Sequence, residues 1–310
     1  MTPRQLRYFV EIARAGNISQ AAATLHIAQP ALSQHMSAIE RELGRPLFER
    51  HARGVTLTPA GRRLFDRASA ILRQLELLPD EVAAATGTPQ GEVRLCIASA
   101  VAGALVVPLY RLMEAQYPQV RLSLQTGASL QARQLVETRR IDLALMPNAF
   151  ELPGLECDPV YEEQFALFGA QGSFPAELER MAFADIGARP LVTLGRDHDL
   201  RKLIERVALA LQCPLNVRYE FNEPELIRPV VREGLAFALL PRNAFLAVAA
   251  PHDEVQSVPI EEPALARVQS IVWPAGAPLT PAAEAARQAL RDTISHLLEA
   301  GTLQGRWLGA

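Results

Sequence analysis

AQPALSQHMSAIERELG, residues 28–44, reads as a helix with two unlike sides. Leu32, Met36, Ile39 and Leu43 recur at helical spacing and form an apolar stripe that calls for burial. Gln29 is placed to cap the helix, and Pro30 suits its first turn, where a missing N–H costs nothing. The opposite side carries Ser33, Gln34 and Ser37. Small and amide side chains admit a close surface and read it by hydrogen bonds, and DNA base edges are one such surface. A plain solvent-facing helix is the other reading, and this stretch alone leaves both open.

The flanking sequence favours the first. Leu6, Phe9, Val10 and Ala13 mark an earlier amphipathic helix that stops near Gly16-Asn17. Ser19 then stands as the N-cap of a short helix through Ala21, Ala22 and Leu25. A tight turn at residues 26–28 leads into the quoted helix, so a helix-turn-helix follows a supporting helix. In RPLFERHARGVTLTPAG, residues 45–61, Leu47-Phe48 and Val55–Leu57 are short strands around a basic turn at Arg50, Arg53 and Gly54, which describes a wing. Residues 1–75 hold eleven arginines against Glu11, Glu40, Glu42, Glu49 and Asp66, a net charge of +6. The whole chain carries −3, so the remainder carries −9. A basic head on an acidic body is expected where only the head meets nucleic acid.

Thr58 and Pro59 open a further helix. Leu64, Ala68, Ile71, Leu75 and Leu78 follow at alternating steps of four and three, a heptad seam suited to pairing with a second copy, or to packing in its own domain. Pro79 is expected to end or kink this helix. Gly87, Pro89 and Gly91 mark a linker. Beyond it, strand and helix patterns alternate: EVRLCIAS, AGALVVPLYRLMEAQY, VRLSLQT, SLQARQLVETR and IDLALM, then PLVTL, HDLRKLIERVALAL, NVRYEF, EPELIRPVVREG and LAFALLP. ARVQSIVW and PAAEAARQALRDTISHLLEA close the chain. Such alternation predicts parallel, doubly wound sheets in two lobes facing a cleft.

The 310 residues, 49% hydrophobic and 21% charged, have ordinary globular composition. No apolar run is long enough to span a bilayer, and Arg4, Arg7 and Glu11 interrupt any signal-peptide pattern, so a cytoplasmic protein is expected. Cys96, Cys157 and Cys213 are far apart and read as buried free thiols rather than a disulfide framework or a redox pair. The sequence lacks GxxxxGK, GxSxG and GxGxxG. Its six histidines, three of them in the basic head (His26, His35, His51) and three beyond it (His198, His252, His296), form neither HxxxH nor HExxH, and all six read as structural. No metal, no cofactor and no enzymatic activity are expected.

At this point residues 4–61, RQLRYFVEIARAGNISQAAATLHIAQPALSQHMSAIERELGRPLFERHARGVTLTPAG, resemble the LysR-type family of bacterial transcriptional regulators almost without gaps. IDLALMP at 141–147 and VREGLAFALLP at 231–241 look like two recurrent segments of its body, which extends the resemblance over nearly the full chain. Within the family, LHIAQPALSQ followed by RGVTLTPAG is most similar to nitrogen-assimilation regulators. Pro79 departs from the smoother linker helix usual there. The resemblance implies a winged helix-turn-helix domain (1–58), a linker and dimerisation helix with its linker (59–90), and a two-lobe effector-binding domain resembling periplasmic binding proteins (91–310). Lobe I would span about 91–162 and 268–310, and lobe II about 163–267. Partners implied are double-stranded promoter DNA, a small-molecule effector, RNA polymerase and further copies of the chain, as a homodimer or homotetramer. The competing architectures are a repressor with a sugar-binding body and a two-lobe solute-binding protein. The seam-bearing helix speaks against the first, and the basic head against the second.

The resemblance places Gln29, Pro30, Ala31, Ser33 and Gln34 in the major groove, and the chemistry agrees. Gln29 and Gln34 can pair with adenine edges, and Pro30 and Ala31 can meet thymine methyls. Ser19 and Ser33 suit phosphates, and Arg53 at the wing tip suits a narrow minor groove or its phosphates. In doubly wound folds ligands sit beyond the carboxyl ends of strands, where helix N-termini offer free N–H groups. Those ends fall at Ser99-Ala100, Thr126-Gly127-Ala128-Ser129, Pro147, Thr193-Leu194-Gly195 and Phe221-Asn222. Each is either a helix cap or part of a site for a small anion, and Arg196 either meets that anion or pairs with Asp197 or solvent.

Overall fold

A computed structural model describes residues 1–51, 54–83, 88–149, 152–245, 255–276 and 278–309. The chain packs as two units, Met1–Thr88 with Glu137–Ile141, and Pro89–Val136 with Asp142–Ala310.

The first unit opens with α1 (Pro3–Ala15), started by a reciprocal cap. The Gln5 N–H donates to Thr2 Oγ1 and the Thr2 N–H donates to Gln5 Oε1, so two otherwise orphaned donors are satisfied. Leu6, Phe9, Val10 and Ile12 are buried, and the helix stops at Gly16, whose φ is +60°. Gly16 is met from the wing: the Val55 N–H donates to its carbonyl at 2.8 Å. A Cβ on Gly54 would lie 2.1 Å from that same oxygen, so residue 54 admits only glycine.

In α2 (Ile18–Thr24) the cap is Asn17, not Ser19. Its side chain accepts from the Ser19 and Gln20 N–H groups at 2.9 and 3.1 Å, which places Ser19 inside the first turn. In α3 (Gln29–Leu43) the cap position is Ala28, whose methyl group cannot accept a hydrogen bond, so Gln29 is the first helical residue and does not cap. Leu32, Met36 and Ile39 are buried as expected, whereas Leu43 lies 43% exposed at the helix end, where the stripe has outrun the core. The wing is an antiparallel pair, β1 (Phe48–His51) and β2 (Gly54–Leu57). Thr58 starts α4 (Pro59–Ala83): its hydroxyl accepts from the Gly61 N–H and donates to the Pro46 carbonyl, both at 2.9 Å. Pro79 does not end this helix, which continues to Ala83. A proline removes one N–H from the ladder, and the turns on either side keep theirs.

In the second unit β3 (Gly91–Ala98) leads into α5 (Ser99–Gln116), which begins three residues before the AGALVVPLYRLMEAQY pattern. Next come β4 (Val120–Gly127), α6 (Ser129–Glu137) and β5 (Leu143–Pro147), with β3 parallel to both neighbours. The expected parallel arrangement ends there, because the sheet is mixed. β6 (Leu155–Ala170) is a 16-residue strand that the alternating pattern does not reveal. After β7 (Met181–Ala182) come β8 (Leu191–Leu194), α7 (Asp199–Ala210) and β9 (Val217–Phe221), the two strands pairing in parallel. Then follow α8 (Ile227–Arg232), β10 (Ala238–Pro241), β11 (Val255–Glu261), β12 (Ala266–Pro274), α9 (Pro281–Glu299) and β13 (Arg306–Trp307). β10, β11, β12 and β13 all pair antiparallel with β6, and β12 is also antiparallel to β5.

β6 therefore belongs to two cores. Its Val160 and Tyr161 pack with α5 and α9 in one, and Phe165–Phe168 pack with β8, α7 and β10 in the other. Between them Glu163 is fully buried and accepts from Arg267 Nε, from Gln269 Nε2 at 2.8 Å and from Asn243 Nδ2 at 3.4 Å. Asn243 also donates to the Gln304 carbonyl and accepts from its N–H, both at 2.9 Å, which ties the C-terminal segment to this point. Glu163→Ala is expected to destabilise the body by about 3–5 kcal/mol, because Arg267 would be left buried without its carboxylate. Adding Arg267→Met should recover part of that loss. Chemical denaturation of the two single variants and the double variant measures it, and strictly additive losses would show that the pair is not coupled.

Candidate nucleic-acid interface and ligand cleft

On the head, α3 turns Leu32, Met36 and Ile39 inward, and that fixes what faces out. Gln29, Pro30, Ala31, Gln34 and Ser37 are exposed and Ser33 is half-buried, a continuous strip over the first two turns. Gln29 Nε2 donates to Ser33 Oγ at 3.3 Å, which holds both side chains on one face. Ser19 is exposed at the start of α2. Arg53 lies outside the described residues. Two contacts that orient α3 were not legible from spacing. Glu40 Oε1 accepts from the Leu47 N–H at 2.7 Å and more weakly from that of Phe48, which fixes the entry to the wing against the helix. His35 lies against the Tyr8 ring, centroids 5.2 Å apart, and Arg4 donates to the Tyr8 hydroxyl.

The expected seam divides. Ala68 is fully buried and Leu64 partly so, both within the head core, whereas Ile71, Leu75 and Leu78 are 44%, 37% and 50% exposed.

In the body, strand register gathers the expected ligand residues at strand ends. Ala98 stands beside Gly127 and Ile97 beside Thr126, so Ser99 and Ala100, the first residues of α5, neighbour Thr126, Gly127 and Ser129 at the start of α6. Ser99 and Thr126 are exposed, while Ser129 is buried. Pro147 is buried at the end of β5, opposite Gln269 of β12. Thr193 is buried on β8, beside Glu220 of β9, and its hydroxyl has no hydrogen-bond partner among the described residues. Asn222 is exposed just past β9, and its Oδ1 would lie 3.3 Å from a Cβ on Gly195. The lobe I residues thus form one group, and Thr193 with Asn222 a second.

His198 caps α7, where Nδ1 accepts from the Leu200 N–H at 3.2 Å. Burial lowers its pKa, and Arg267 and Lys202 push the same way against Asp199. Burial thus favours the neutral imidazole that an accepting Nδ1 requires. That agrees with a structural histidine, though neither its capping role nor its nearness to Arg267 was visible in sequence. Burial pushes the Cys96 thiol up to about 11 and raises Cys157 as well, so neither is a ready thiolate. Among the described residues no group of three or more His, Cys, Asp and Glu side chains is placed to hold a metal, and no helix is long and apolar enough to cross a membrane.

Comparison with known proteins gives two domain matches. Residues 3–62 match the bacterial regulatory helix-turn-helix protein domain of the lysR family, and residues 86–295 match the LysR substrate binding domain. The chain is 29% identical to the nitrogen assimilation regulatory protein nac of Escherichia coli strain K12, over 95% of this chain and 96% of that protein. It is 28% identical to a probable nitrogen assimilation transcriptional activator of Synechococcus elongatus, again over 95% and 96%. Among solved structures, full-length OxyR C199D from Pseudomonas aeruginosa superposes with a TM-score of 0.72 at 23% identity, covering 95% of this chain and 94% of that one. Full-length CbnR complexed with its target DNA superposes with a TM-score of 0.68 at 21% identity, covering 94% and 100%.

Proposed function

The chain belongs to the LysR family of bacterial transcriptional regulators, and from that premise we propose how its residues divide the work of reading DNA and sensing a ligand. The head binds promoter DNA through the outer strip of α3. One observation carries this: the strip of Gln29, Pro30, Ala31, Ser33, Gln34 and Ser37 is polar, small and open, on a helix whose other side is locked into the head core. Gln29 and Gln34 read base edges, and Ser19, Ser33 and Arg53 hold the sugar-phosphate backbone. The protein acts in the cytoplasm on RNA polymerase at those promoters, by binding rather than by catalysis.

Assembly uses the outer half of the α4 seam. Ile71, Leu75 and Leu78 are exposed aliphatic side chains at heptad spacing, and a second α4 covers them. Leu64 and Ala68 anchor the helix to its own head. Further contacts between bodies make a tetramer of two such dimers.

The body binds a small anionic effector between its lobes. Ser99, Ala100, Thr126, Gly127 and Ser129 present hydroxyls and helix-start N–H groups from one lobe. Thr193 and Asn222 approach from the other, and Pro147 borders the strands that join them. The unpartnered, buried Thr193 hydroxyl supports the placement. Effector binding shifts transcription by favouring one body conformation, and the coupling to DNA is reciprocal.

Three outcomes test this reading. Gln29→Ala or Gln34→Ala should cost about 1–3 kcal/mol at the cognate site and relax base preference, while Arg53→Ala weakens all sequences more evenly and reduces the salt dependence. Titrations over operator variants measure it, and uniform losses for both glutamines would remove the base-reading role. Ile71→Asp with Leu75→Asp should lower the assembly mass in sedimentation, because charges would replace an apolar seam. An unchanged mass would place the interface elsewhere. Ser99→Ala or Thr126→Val should abolish the effector-dependent change in DNA footprint while leaving effector-free binding intact. If both variants respond like the unaltered protein, the cleft residues are only helix caps.

A further inference from the structure

A groove of about 550 Å³ runs along α7 on lobe II, lined by residues of the single stretch 196–217. The volume falls in the range of small-molecule pockets. One wall carries Arg196, Arg201 and Glu205, and the rest is largely apolar, with Leu209, Pro214 and Leu215.

Arg201 is the unusual member. Its side chain is only 5% exposed. Both Nε and Nη2 reach the same oxygen, Glu205 Oε1, at 2.8 and 2.7 Å. Its Nη1 is buried with no hydrogen-bond partner among the described residues. Leaving such a donor unpaired is costly, since a buried polar group without its partner forfeits its hydration. Arg196 stands exposed in the same groove. Two guanidinium groups against one carboxylate leave the groove with one net positive charge. The remaining wall includes Leu209, which is 80% exposed although apolar.

We propose that this groove is a second ligand site, separate from the cleft, that takes a small amphipathic monocarboxylate. The carboxylate sits between Arg196 and Arg201 and supplies the acceptor that Nη1 lacks, after a small turn of the guanidinium toward the groove. The ring or branched chain of the ligand covers Leu209, Pro214 and Leu215. One net charge selects a monocarboxylate over a dianionic phosphate, and Glu205 repels the second charge. Planar guanidinium groups favour carboxylates by paired N–H donation.

Cys213 provides a local reporter, because it lines the groove, is half-buried and donates to the Leu211 carbonyl at 3.5 Å. The full-length protein is treated with a maleimide, and modification of each cysteine is followed by peptide mass. The probes are benzoate and hexanoate, with benzyl alcohol and hexanol as uncharged counterparts. Both acids should slow Cys213 modification several-fold while the alcohols do not, and Cys157 should react at an unchanged rate. Arg196→Gln, at an exposed position that leaves the fold intact, should raise the half-protecting concentration about tenfold, the loss of one charge-assisted contact. Ser99→Ala should leave protection unaltered, which separates this site from the cleft. Equal protection by acids and alcohols would overturn the assignment of the arginines. Absence of protection by both acids up to about 10 mM, a threshold near −3 kcal/mol, would overturn the site. Loss of protection in Ser99→Ala would return the ligand to the cleft.

Discussion

Everything in the body hangs on one buried carboxylate. Glu163 has no exposure, and a charge in that position persists only if other groups satisfy it completely. Arg267 neutralises it from β12, Gln269 donates from the same strand, and Asn243 donates from the turn after β10. These four side chains come from β6, β12 and the segment after β10, and they meet where β6 passes from one core to the other. Apolar packing alone would let the strands slide at that crossing, because it has no direction. A hydrogen-bonded ion pair fixes register and angle together. The contribution is to specificity of arrangement more than to net stability.

The C-terminal segment follows from the same centre. Asn243 grips the Gln304 backbone at both its N–H and its carbonyl, and β13 extends β6 at Glu162 and Tyr161. Leu303 is buried in the lobe I core. Farther along β6, Asp158 accepts from Arg287 and Arg291 of α9. Those arginines stack over Trp273 and Trp307 at 5.6 and 5.4 Å from the ring centres. Such partly buried cation–ring contacts add to the ion pairs without adding buried charge. The last helix is thereby held to the strand that carries Glu163.

The head uses a different economy. Its core is largely apolar and local, and four of its polar bonds sit at element ends: Thr2 with Gln5, Asn17 over α2, Thr58 over α4, and Glu40 beneath the wing. The first three restrain where a helix starts, and Glu40 fixes the entry to the wing. In the outer strip of α3 the Gln29 amide bonds to Ser33 of the same strip, and Gln29, Gln34 and Ser37 stay exposed to another surface.

The sequence alone determined the elements whose signals are local. Helical spacing named the buried stripe of α3 and therefore its open face, the alternation from residue 92 named β3, α5, β4, α6 and β5, and LysR-type resemblance was carried by contiguous residues 4–61. Caps were misassigned by one or two positions at Ser19 and Gln29, because Asn17 and Ala28 compete for the same turn and only the backbone path decides between them. Tertiary structure alone decided the rest. β6 buries consecutive residues, Val160-Tyr161 in one core and Phe165–Phe168 in the other, so no alternation marks it, and the sheet became mixed rather than parallel. Leu64 and Ala68 share a heptad with Ile71, Leu75 and Leu78, yet only the first two meet the head core. Glu163 and Arg267 are 104 positions apart, and Arg201 lines the same groove as Arg196. Periodicity reports which side of one element is apolar. It does not carry the distance between elements, and charge pairing, orphaned donors and ligand grooves are properties of that distance.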